Sequence, residues 1–135
     1  MASNLKLSQT IRHAMLNQIT STVGASGLWR IYTTPQPAGP DTAVSTQTLL
    51  AELTCGSTFA PAASSNTLTL NAITQDSSAN NTGQAVWWRI STSGGVGHID
   101  GSCGTIDADL ILNSTAITAG AVVQISSATF SAGNA

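Results

Sequence analysis

Charge is what this sequence lacks most. Four basic and six acidic residues serve 135 positions, 7% of the chain, where soluble domains carry about a quarter. Four cations cannot build the basic stripe that neutralises phosphates, so no direct nucleic-acid partner is expected. No apolar run approaches the ~20 residues with which a helix spans a bilayer, so no membrane partner is expected either. The stretch MASNLKLSQTIRHAM has no apolar run of signal-peptide length and is interrupted by Arg12 and His13, which predicts a chain retained in the cytoplasm that makes it. Cys55 and Cys103 are then expected to be reduced, each a small buried hydrophobe in a strand. A disulfide between them stays open for a product released into oxidising surroundings, because sequence does not give their separation.

Signatures of catalysis are equally scarce. Of the two histidines, His13 falls on the polar side of a helix and reads as solvated. His98 shares strand parity with Asp100, and Asp107 and Asp109 follow, which are ligand types for calcium or a transition metal; the pattern is isolated, and a plain surface outweighs it. Gly101-Ser102-Cys103-Gly104 follows Asp100 as in some nucleophile loops, yet no buried acid is assignable to a histidine and there is no G-x-S-x-G elbow. Phosphate-binding glycine motifs are absent, and only His98 stands near Cys103 to activate it. The chain is therefore read as non-enzymatic, with no metal and no cofactor.

What the sequence does have is Ser, Thr, Ala, Gly and Asn arranged in period-two patterns. A length of 135 residues fits one domain, read as an N-terminal helix arm over 1–24 and a β-sandwich over 27–135. Leu7, Ile11, Met15, Ile19 and Val23 recur every fourth position with Leu16 beside them, the stripe of an amphipathic helix. Ser8 suits its N-cap and Gly24 its C-terminal closure. Leu28–Thr33 alternates as a strand, with Trp29 and Ile31 on one face and Arg30 and Tyr32 on the other. Thr48–Cys55 places Leu49, Ala51, Leu53 and Cys55 inward. Asn66–Ile73 is a further strand, and Gln75–Gly83 a polar surface loop.

The densest stretch is Gln84–Asn113, which reads as a β-meander. Val86, Trp88 and Ile90 alternate with Trp87 and Arg89, Gly94-Gly95 supplies the positive φ of a tight hairpin, and His98–Ser102 returns antiparallel. Ile106–Leu112 makes a third strand. Ala121–Phe130 closes the chain, with a bulge near Ser126-Ser127 to keep Val123, Ile125, Ala128 and Phe130 inward. Trp29-Arg30-Ile31 matches Trp88-Arg89-Ile90, which suggests equivalent core strands, one in each sheet. The fold class expected is mainly β: an antiparallel β-sandwich, jelly-roll or immunoglobulin-like, of seven to eight strands with one N-terminal helix.

Candidate functional residues are contacts. A surface so poor in charge is weakly protected against association, so much of the exterior is expected to lie against other subunits. The helix stripe offers Ile11, Met15 and Ile19. Thr34–Ala43, TPQPAGPDTA, cannot donate like a central strand and reads as an exposed contact arm with Pro35, Pro37 and Pro40, or as a stiff connection between sheets. On the face opposite the core, Trp87 and Arg89 are contact candidates, unless that face is covered, and Trp87 or Tyr32 could instead be a sugar-stacking platform.

Four stretches, LKLSQTIRHAMLNQI, LWRIYTTPQPAGPDTA leading into TLLAELT, QAVWWRISTSGGVGHIDGSCG and ADLILNSTAITAGAVVQISSATFSAGNA, together resemble a family of small virion proteins of tailed bacteriophages and prophages. The resemblance covers most of the chain and brings no catalytic residues with it. It implies a virion structural protein made in the host cytoplasm. The leading expectation is a capsid decoration, or cement, protein on the outer shell, whose partners are the major capsid protein and copies of itself as a homodimer or homotrimer. The alternatives are a neck, collar or minor tail component, and, from a different class, a carbohydrate-binding sandwich.

Overall fold

The computed structural model describes residues 4–133, and among them the chain forms one helix and nine short strands, a mainly β fold. Helix α1 (Gln9–Val23) begins where the Ser8 hydroxyl accepts the Ile11 N–H at 3.2 Å. It ends at Gly24, whose φ of 73° turns the chain out of the helix at no steric cost to a glycine while its N–H still bonds to Thr20.

Strands β1 (Leu28–Tyr32), β2 (Leu49–Thr54), β5 (Trp87–Ser91), β6 (Gly97–Gly104) and β7 (Leu110–Ile111) make one sheet in the order β2-β1-β5-β6-β7. The first four are antiparallel, whereas β7 runs parallel to β6. The expected third strand of the meander thus exists in shortened form and in the opposite sense. Parallel neighbours normally need a crossover of a dozen or more residues; the short return through 105–109 gives room for two paired positions only. Two small sheets complete the fold, β3 (Thr67–Thr69) with β9 (Thr129–Ser131) and β4 (Gly83–Gln84) with β8 (Ala116–Ile117).

The matched triplets are correct as core strands, but they lie side by side in one sheet and not one in each. β1 pairs with β5 so that Trp29 faces Ile90 and Ile31 faces Trp88, and the Trp29 and Trp88 rings meet at 4.7 Å. This face packs with Leu16 and Val23 of α1, with Phe59, Leu68 and Leu70, and with Ile125 in one apolar cluster. Gly101 lies opposite Trp88, and the indole occupies the space a Cβ there would need.

Two expectations about register are corrected. Leu50, expected outward, is fully buried, because the pairing shifts after Ile31 and Tyr32 meets Leu49. The bulged residue turns in, and its carbonyl accepts the N–H of Asn80. Ala121–Phe130 is not one bulged strand: Val123 bridges Asp76, and pairing resumes only at Thr129. Ile125 is still buried, with Val123, Ala128 and Phe130 packed against the core. The Gly94-Gly95 turn forms as expected, with Gly95 at φ 92° and its N–H on Thr92.

Candidate functional site

The helix docks through Leu16 and the C-terminal part of its apolar stripe, so of the three stripe contacts expected Ile19 is turned to the core and only Ile11 and Met15 stay outside. Leu16 and Val23 are buried and Ile19 is packed against the core, while Ile11 and Met15 remain 49% and 53% exposed. Polar anchors fix this rotation. Asn17 Oδ1 accepts the Ala63 N–H at 2.7 Å, His13 Nε2 accepts the Asn66 N–H at 3.1 Å, and Arg12 Nη1 donates to the Ala132 carbonyl at 3.5 Å. His13 is therefore a docking group and not a solvated side chain. Because the backbone donors of the β3–β9 region meet positions 13 and 17, positions 11 and 15 must face away.

The other face of the large sheet carries charge in a row. In register across β2, β1, β5 and β6 stand Glu52, Arg30, Arg89 and Asp100, an acid–base–base–acid ladder. Arg30 Nε holds Glu52 at 2.7 Å with both side chains part-exposed. Arg89 makes a two-pronged pair with Asp100, 2.7 Å from Nε to Oδ1 and 2.8 Å from Nη2 to Oδ2, and both are buried. Its remaining donors reach the Thr42 and Gly39 carbonyls at 2.9 and 3.0 Å. Hydrogen bonding to Asp100 raises the Arg89 pKa above its ordinary value. For Arg30 partial burial, the largest single influence, works the other way, but Glu52 and Tyr32 together outweigh it and leave that pKa raised too.

These bonds pull the proline segment onto the sheet, so Thr34–Ala43 is a cover for its own domain and not a free arm. Pro35 is exposed, while Pro37 and Pro40 are half-buried. Underneath, Trp87 is fully buried, stacked on Tyr32 at 4.7 Å, with its indole N–H on the Thr33 carbonyl at 2.8 Å. The Arg89 guanidinium lies 5.2 Å from the Trp87 ring centre. Trp87 and Arg89 are therefore corrected from outward contacts to structural residues. The sugar-stacking reading loses its platform with them, since Tyr32 is buried as well.

The groups considered for chemistry are dispersed. Asp100 is committed to Arg89, and Asp109 accepts from the Ser102 N–H and hydroxyl at 2.9 and 3.1 Å. His98 is the extra residue of a bulge between the Ser91–Gly97 and Ile90–Ile99 pairs, and it lines a shallow groove with Met15 and Ile19. Among the described residues no three His, Cys, Asp or Glu side chains are gathered to hold a metal. Burial pushes the Cys55 thiol up to about 11, and burial with Asp109 pushes Cys103 up to about 12, the reverse of an activated nucleophile. The cysteines sit at opposite ends of β1: the Cys55 N–H bonds to Gly27, and the Cys103 N–H to Val86, which itself bonds to Tyr32. That is about 17 Å along a strand at ~3.3 Å per residue, beyond the ~7 Å Cα reach of a disulfide. Both thiols are free.

No protein-family model, no curated protein and no solved structure matches the chain. Among the described residues, the large apolar side chains left exposed are Leu5, Ile11, Met15, Val96, Ile106, Ile111 and Val122. The pattern of the sequence singled out only Ile11 and Met15 among them. Val96 stands in a hairpin turn and Ile106 and Ile111 flank the short parallel return, where alternation carries no signal of which side is wet.

Proposed function

We propose that this chain is a structural subunit of a larger particle, acting through contacts and not through chemistry. In line with its resemblance to small virion proteins of tailed phages, we read it as a capsid decoration protein. It would bind the assembled shell and bridge major capsid subunits. One observation carries this reading: α1 is docked through Leu16 and Val23 and held by His13 and Asn17, which leaves Ile11 and Met15 exposed on a surface with few charges to repel a neighbour. We read the five-stranded sheet and the β3–β9 pair as the layers of a reduced β-sandwich, a rigid base for that helix.

The mechanism is mass action. A ligand that binds only the assembled lattice stabilises it by its binding free energy, and many copies multiply a modest contact. The test adds purified protein to undecorated shells of the phage or prophage that encodes it. Binding at hundreds of copies with a raised disruption temperature supports decoration. Incorporation of a dozen copies or fewer moves the protein to the neck or tail, and no incorporation into particles removes the virion reading.

A further inference from the structure

The five-stranded sheet has two edges, β2 and β7, and the chain covers only one of them. Along β2, the Thr54–Thr74 bridge, the Asp76 carboxylate on the Glu52 N–H and the Asn80 N–H on the Leu50 carbonyl engage the outward backbone groups. β7 has no such cover. Leu112 donates to Gly104 of β6, and successive residues of a strand direct their backbone groups to opposite neighbours. The N–H and C=O of Ile111 therefore point away from β6, with no partner among the described residues. Unpaired groups of this kind are a template for another strand. A cleft of about 410 Å³ runs along them, between 109–113 and 124–129.

The two sides of this edge call for different side chains. Leu110 is buried and Leu112 packs against the core, with Ile125 and Ala128 across the cleft. Asp109 and Ile111 have the other parity and are exposed, Ile111 at 56%, with Asp107 exposed nearby. A strand added here fits best when apolar residues alternate with a basic one. The chain carries such a segment ahead of α1, where Leu5 and Leu7 alternate with Lys6, and Leu5 is 68% exposed. Charge separates in the same sense. Arg30 and Arg89 are paired within the sheet, and the other two basic residues, Lys6 and Arg12, both lie in the N-terminal segment and helix, whereas 105–109 holds two acids and no base.

We propose that 4–7 of one copy add as a strand to the β7 edge of a second copy. Leu5 and Leu7 enter the cleft beside Leu110 and Leu112, and Lys6 lies over Ile111 toward Asp107 and Asp109. The lysine stem covers the isoleucine while its ammonium reaches the carboxylates. Four residues at ~3.3 Å each span about 13 Å, which matches the edge over 110–113. Main-chain bonds supply the affinity and the alternating side chains the register. The contact does not rest on the virion reading, and a chain that ignores shells leaves it standing.

The test is sedimentation equilibrium of the whole chain from about 10 µM to about 1 mM, the range of a short-strand contact. The wild-type mass rises above that of one chain across this range, and added salt lowers it. Leu5→Asp and Lys6→Glu, both on an exposed segment ahead of the helix, stay monomeric with the wild-type denaturant midpoint. Asp107→Lys stays monomeric as well, and its equimolar mixture with K6E regains association, because a reversed arm then meets a reversed edge. If D107K does not fold, exchange protection of the Ile111 amide, rising with concentration in wild type and absent in L5D, decides the matter. A wild-type chain monomeric throughout, association undiminished in L5D or K6E, or a folded mixture that stays monomeric overturns the proposal.

Discussion

Arg89 and Asp100 stand directly opposite on β5 and β6 and share two hydrogen bonds of 2.7 and 2.8 Å, both side chains buried. The same guanidinium holds the Gly39 and Thr42 carbonyls, so one ion pair fixes both the sheet and the cover above it. Removing one member of a buried pair strands the other charge, which typically costs about 3–5 kcal/mol. Asp100→Asn should lower the denaturant midpoint accordingly. Amide exchange should speed up first over 39–44, the segment Arg89 anchors.

Gly101 is a packing requirement. A Cβ at this position would come within 2.3 Å of Trp88 Cζ2, and the indole cannot retreat because it is packed against Trp29 and its N–H is bonded to the Ser102 carbonyl at 3.1 Å. Overpacking of this kind costs about 1–3 kcal/mol or more. Gly101→Ala should destabilise the protein by that amount in urea titration, whereas Gly133→Ala, with open space around it, should not.

Much of the fold was legible because alternation and capping are local. Ser8 and Gly24 bound the helix, Trp29, Ile31, Trp88 and Ile90 form the core row, and Gly94-Gly95 makes the hairpin, each set by its neighbours in sequence. Errors arose where a distant partner decided. The helix rotation is set by backbone donors of Ala63 and Asn66, which no spacing in 7–23 encodes. Trp87 and Arg89 have outward parity, correctly read, but 39–44 folds back over them. The ladder was half visible, since the Trp-Arg-Ile triplets put an arginine at matched positions; only pairing placed Glu52 and Asp100 beside them.

The two sides of α1 should respond differently to truncation. Leu16 is 4% exposed and Met15 53%. Leu16→Ala should cost about 2–5 kcal/mol, and Met15→Ala should stay within about 0.5 kcal/mol, both by chemical denaturation. A larger cost at Met15 than at Leu16 would show that the helix is docked the other way round.

The cysteines predict an alkaline limit. Burial lifts Cys55 from 9.0 to about 11 and Cys103 from 9.0 to about 12. The unfolded chain therefore loses these protons first, so the stability they contribute is intact below pH 9 and declines as pH rises toward 11–12. Urea midpoints at about pH 8 and about pH 10.5 should show the decline. Cys55→Ala with Cys103→Ala should flatten it.

The claim that function lies in an outward helix face is tested most directly by cosedimentation with undecorated shells. The account predicts that the wild-type chain pellets with shells at saturable, high copy number. Met15→Asp with Ile11→Asp should keep the wild-type denaturant midpoint and remain in the supernatant. A wild-type chain that stays in solution, or a folded double variant that binds as well as wild type, would contradict it.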